Sequence, residues 1–96
     1  MLELTLKNIW EIKLLEDERK ALLKLFENAK KKWYKLYLFG SRLNWYWADI
    51  DLMIKPSPSL EELLRLETIF SLYTDTKLDL IPYNEKTKYF FEEIVG

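Results

Sequence analysis

The residues of this chain best suited to chemistry are Gly40-Ser41-Arg42, which close the run Leu38-Phe39, and the carboxylates of Asp49-Ile50-Asp51-Leu52, reached after seven further residues, Arg42 to Ala48. A Gly-Ser turn at a strand end can present backbone N–H groups and a hydroxyl to phosphate oxygens. Two Asp residues two apart on a strand point the same way, roughly 7 Å apart at the Cα level. Together they point to a site that holds a nucleoside triphosphate through a divalent metal. A third carboxylate, Asp79, lies in a later aliphatic run, Leu78-Asp79-Leu80.

The elements that must position these groups follow from periodicity. Residues 2–15 fit two patterns: Leu2, Leu4 and Leu6 alternate like a strand, whereas Leu6, Ile9, Trp10 and Lys13 recur more like a helix. Residues 17–32 read as a helix, with Asp17 as its cap and Leu22, Phe26, Ala29 and Trp33 on one face. Lys30, Lys31 and Lys32 fall in its last turn, where cations complement the helix dipole; they read as a solvated helix end. Lys35–Phe39 reads as a strand that Gly40 ends. Residues 46–54 read as a second strand, with Ile50, Leu52 and Ile54 on one face and Asp49, Asp51 and Met53 on the other. Pro56-Ser57-Pro58 breaks the chain, and Ser59 with Glu62 forms a capping box that opens a helix to about Tyr73, buried through Leu63, Leu66, Phe70 and Tyr73. A third strand follows at Lys77–Pro82, and Asn84 caps a last helix carrying Phe90, Phe91 and Ile94. The order helix, strand, strand, helix, strand, helix predicts one α/β (α+β) domain over residues 1–96, a small mixed sheet flanked by helices.

Composition narrows the chemistry. The chain has 96 residues, a formal charge of −1, no cysteine and no histidine. Thiolate chemistry is excluded, and so are the usual general base and the commonest transition-metal ligand. A metal must sit on oxygen, which favours Mg²⁺ or Mn²⁺ over zinc. The charge supplies no global positive field, so direct nucleic-acid binding is not expected. There is no run of about 18 apolar residues and no signal peptide, which predicts no membrane and a cytoplasmic location. Glutamine is absent while Lys and Glu abound, which leans towards a thermophilic source.

If the second and third strands are neighbours, Asp79 joins Asp49 and Asp51. Three carboxylates on one accessible face repel one another and raise at least one pKa. Magnesium resolves this by taking carboxylates and triphosphate oxygens in one shell, and two such ions could flank an in-line displacement. Trp45 and Trp47 share parity with the carboxylates. They read first as packing over the rim, then as a partner contact, then as a base-stacking surface. Trp10, Trp33 and most Phe residues read as core.

Leu38-Phe39-Gly40-Ser41-Arg42, Asp49-Ile50-Asp51-Leu52 and Leu78-Asp79-Leu80 resemble the nucleotidyltransferase domain of the DNA polymerase β superfamily, in its minimal branch, often called MNT. The resemblance covers about residues 17–94. It implies a polymerase-β-like fold and transfer of a nucleoside monophosphate, with ATP as donor. Gly40 and Ser41 would hold the β/γ-phosphates, and Arg42 would contact phosphate or support the turn. Asp49 and Asp51 would bind metal. Asp79 would help bind a second metal and activate the attacking hydroxyl. Minimal members are often encoded beside a HEPN-domain protein, with which they pair as antitoxin and toxin, and can adenylylate a tyrosine of it. The chain departs from the pattern in a shorter segment between Ser41 and Asp49, where Asn44 could supply a positive φ, and in Ala48 where Ser is common. Two functions follow: an active nucleotidyltransferase acting as an antitoxin on a HEPN-type toxin, or a non-catalytic module that neutralises such a partner by occlusion. A homodimer is left open.

Overall fold

Short-range capping decides the N-terminal segment, which uses both of its patterns in turn. The computed structural model describes residues 1–40 and 49–95, the side chains of 94 and 95 excepted. Strand β1 (Leu2–Glu3) gives way at Thr5 to helix α1 (Leu6–Glu11). Thr5 Oγ1 accepts from the Asn8 N–H at 3.1 Å, and Asn8 Oδ1 accepts from the Thr5 N–H at 2.8 Å, so two orphan donors of the helix start are met reciprocally. The Arg19 guanidinium donates to the carbonyls of Ile9, Ile12 and Leu14 around the end of α1.

Helix α2 runs Glu16–Lys31. Asp17 does not cap it, contrary to the sequence expectation: Leu15 occupies the cap position, and its N–H donates to Glu18 Oε1 at 2.9 Å. Asp17 instead lies in the first turn, where its charge suits the helix dipole. Just past the helix end the chain reverses at Trp33, whose φ is +65°. The Trp33 N–H donates to Lys30 O and the Tyr34 N–H to Ala29 O, the reversal for which glycine is usual. That reversal turns the indole outward. Trp33 is 88% exposed rather than part of the buried stripe. Trp10, also expected in the core, is 61% exposed and has the Arg19 guanidinium 5.6 Å from its ring centroid.

Strand β2 is Lys35–Phe39, the bounds its sequence predicts, and β3 is Ile50–Lys55. Asp49 therefore precedes β3 rather than lying within it. Helix α3 (Leu60–Ser71) starts at Ser59, whose Oγ accepts from the Glu62 N–H at 3.2 Å. The capping box is half formed, because the Glu62 carboxylate is taken by Arg65 at 2.7 Å. Strand β4 is Leu78–Pro82. Asn84 Oδ1 accepts from the N–H groups of Lys86 and Thr87 and shapes the turn that leads into helix α4 (Lys88–Val95).

The four strands of the described residues lie in the order β1-β2-β3-β4. The first two pairings are antiparallel, and β3 pairs with β4 in parallel through the α3 crossover. The chain is thus a mixed α+β protein built on one mixed sheet. Leu36, Leu38, Ile50, Leu52 and Ile54 all point to one face at 1% exposure or less, against Leu22 and Leu25 of α2 and Leu66 and Phe70 of α3. Burying each such side chain contributes about 1.5–3 kcal/mol. The other face carries Phe39 and Met53 beneath Phe91 of α4, and beside them the carboxylates. Among the described residues no helix is long and apolar enough to cross a membrane.

Candidate metal centre

Parallel pairing of β3 with β4 sets Asp51 directly opposite Asp79. Adjacent strands are about 4.8 Å apart, so the two carboxyl groups meet, close enough for Asp79 to raise the Asp51 pKa. The pair sits in a row with Phe39, which faces Asp51 from β2. The next row on the same face is Tyr37, Met53 and Ile81.

The Asp51 carboxyl is pushed up to about 6. Burial contributes most, followed by the hydrogen bond and charge of Asp79 and then the charge of Asp49. Lys77 opposes the rise, its Nζ lying 4.0 Å from Asp79 Oδ1. Its cation is exposed, so among the described residues the acidic pair is only partly compensated.

Gly40 closes the site from the β2 side. Its φ is +79°, in the left-handed region that side chains avoid. A Cβ there would stand 2.5 Å from Asp51 Oδ2, well inside contact distance. A residue other than glycine would thus strain the backbone and push the carboxylate out of place. The glycine turn and the carboxylate are in direct contact, which their spacing in sequence only hints at.

The donor set fits a hard divalent cation. Every donor is oxygen, and two carboxylates already lie within hydrogen-bond reach. Among the described residues no group of three or more acidic, His or Cys side chains is gathered closely enough to hold a metal by itself.

The predicted site residues thus divide. Asp51, Asp79 and Gly40 are brought into contact. Asp49 is exposed and acts on Asp51 through its charge. Ser41 and Arg42 lie outside the described residues, as do Asn44, Trp45, Trp47 and Ala48.

No family model, curated protein or solved structure matches the chain. The functional reading therefore rests on this geometry and on the motifs.

Two features of the site face were not read from the sequence. Lys77 flanks Asp79, a same-face relation two residues apart that alternation could have shown. A groove of about 470 Å³, lined by Met1, Tyr37, Met53, Lys55, Tyr83 and Phe91, opens on the same face beyond the carboxylates. Tyr37 of β2 and Met53 and Lys55 of β3 share one strand face, but no local signal says that they are left partly uncovered.

Proposed function

We propose that this chain is a metal-dependent nucleotidyltransferase of the minimal polymerase-β-like kind, with the corresponding fold, moving AMP from ATP to a hydroxyl acceptor. The acceptor in this reading is a tyrosine of a HEPN-type toxin, for which the chain is the antitoxin. The observation that carries the proposal is the register of Asp51 against Asp79, with Gly40 held against the same carboxylate. Two like charges placed together, with no buried cation beside them among the described residues, are costly, and a bound divalent ion removes that cost.

Asp51, Asp79 and Asp49 would hold Mg²⁺ or Mn²⁺ together with the triphosphate, and Gly40, Ser41 and Arg42 would receive the β/γ-phosphates. The ion would supply Lewis-acid polarisation of the phosphoryl group and neutralise charge on the leaving oxygens. The acceptor oxygen attacks the α-phosphorus, the bond to the β-phosphate oxygen breaks, and pyrophosphate leaves. The hydroxyl proton passes to Asp79, the base available in a chain without His or Cys. A tyrosine hydroxyl has a pKa of about 10, so a carboxylate base and a nearby cation are both needed at neutral pH.

The test is transfer itself. With ATP, magnesium and the cognate partner, mass spectrometry should find AMP on a partner tyrosine, and Asp79→Asn should abolish it with the fold retained. Transfer that persists in Asp79→Asn would remove Asp79 as the base. Absence of any transfer by the wild type, with the partner still neutralised, would favour the second reading, a module acting by occlusion. The observation favouring that reading is the exposure of Leu6 and Trp33, at 58% and 88%, which line one groove, a surface suited to protein contact.

A further inference from the structure

The first turn of α2 and the turn before β4 are joined by two side-chain bonds that the proposed chemistry does not use. Thr74 donates its hydroxyl to Asp17 Oδ2 at 2.5 Å, and Thr76 donates its own to Glu18 Oε2 at 2.5 Å. The other oxygen of Glu18 accepts from the Leu15 N–H at 2.9 Å. The Thr76 N–H donates to Thr74 Oγ1 at 3.3 Å, tying the two threonines together. Glu18 is 1% exposed and Thr74 is 6% exposed. The bonded pairs are 57 and 58 residues apart in sequence, so this is not local turn chemistry.

A buried carboxylate is costly unless its oxygens are hydrogen-bonded, and bonds to an ionised acceptor are stronger than neutral ones. The Glu18–Thr76 contact therefore holds the turn at one place on α2. Directly after it, Lys77 O accepts from the Ile50 N–H at 3.1 Å, beside the first β3–β4 register pair, Ile50 with Leu78. The following pair is Asp51 with Asp79. A slip of one residue would turn Asp79 to the helix-covered face and bring an aliphatic neighbour opposite Asp51. Strand β4 is exposed to such a slip: it is five residues long, pairs in parallel, and stands at the end of the strand order. Parallel pairing is slightly the weaker kind per residue.

We infer that Thr76 and Glu18, braced by Thr74 and Asp17, are positioning residues that set the register of β4 and so hold Asp79 opposite Asp51. The inference rests on the metal-site reading above. Thr76→Val keeps the shape and removes the donor, whereas Thr76→Ser restores it. Mn²⁺ binding followed by electron paramagnetic resonance, well below the melting temperature, should weaken at least fivefold in Thr76→Val and return close to wild type in Thr76→Ser. Exchange of the Ile50 amide should speed up in the same variant. Ser59→Ala, which loses the α3 cap far from the carboxylates, should lower stability without moving Mn²⁺ affinity. Wild-type affinity in a folded Thr76→Val, or equal weakening by Ser59→Ala, would overturn the inference. If Thr76→Val does not fold, Thr74→Val, which removes only the brace, is held to the same comparison. A wild-type chain that takes up no Mn²⁺ would remove the metal-site reading itself, and the inference with it.

Discussion

The two faces of the sheet are built by alternate residues of the same strands, yet they are organised on opposite terms. On the helix-covered face, Leu36, Leu38, Ile50, Leu52 and Ile54 meet α2 and α3 with almost no exposure. On the other, Phe91 of α4 packs on Phe39 and Met53, while Asp51 and Asp79 stand half-exposed and mutually repelling. One face lowers the free energy of folding. The other leaves a local cost that a cation and phosphate oxygens can relieve. A period of two lets one strand serve both ends without compromise, because neither set of side chains contacts the other.

Three substitutions separate the faces, in falling order of effect. Leu52→Ala, on the covered face, should lower unfolding free energy by about 3 kcal/mol through lost burial and a cavity, measured by chemical denaturation. A loss under about 1 kcal/mol would mean that the core under α2 is less tightly packed than its burial implies. Gly40→Ala acts at the boundary of the site face. Strain at φ +79° and the contact with Asp51 should cost about 2 kcal/mol. Unlike the core variant, it should also weaken Mn²⁺ binding when assayed fully folded.

Asp51→Asn should move stability least and in the opposite direction. The Asp51 carboxyl titrates near 6 in the folded chain against about 3.8 when unconstrained. The native state thus binds more protons than the unfolded one between those values, and stability falls as pH rises from about 4 to about 6. Solvent screening of this half-exposed group keeps the effect below about 1 kcal/mol. The variant should flatten that slope and equal or exceed the wild type in melting temperature at pH 7, while losing Mn²⁺ binding. Magnesium should raise the wild-type melting temperature at pH 7 more than at pH 4.5. A wild-type melting temperature that rises steadily from pH 4 to 6 would contradict the repulsion on which the comparison of faces depends.

Much of this division was legible in the order of residues. The run ended by Gly40 located β2, and alternation located the inward positions of β3, because a strand with one covered face must repeat every second residue. The α3 stripe was legible for the same reason at helical spacing, with Leu66 and Phe70 fully buried. Trp33 was misread because its spacing continues the α2 stripe. The helix reverses at that residue, and a reversal through a positive φ at Trp leaves no local signature of the kind glycine leaves. Trp10 failed similarly, since a short helix with few neighbours cannot bury a residue of that size. Asp17 looked like a cap, but Glu18 reached the Leu15 N–H first, and Asp17 was taken by a threonine 57 residues away.

The sequence by itself determined which residues alternate, where aliphatic runs stop, and that any metal donors must be oxygen. Those properties are local or compositional. Only the tertiary structure decided that Asp79 faces Asp51, that Gly40 leaves no room for a Cβ beside it, and that Glu18 and Thr76 fix the strand end. Each of these joins segments between 11 and 58 residues apart. Such pairings are set by strand register, antiparallel for Gly40 and parallel for Asp79, and by the packing of α2 against the turn before β4, which the residues of either segment do not encode alone.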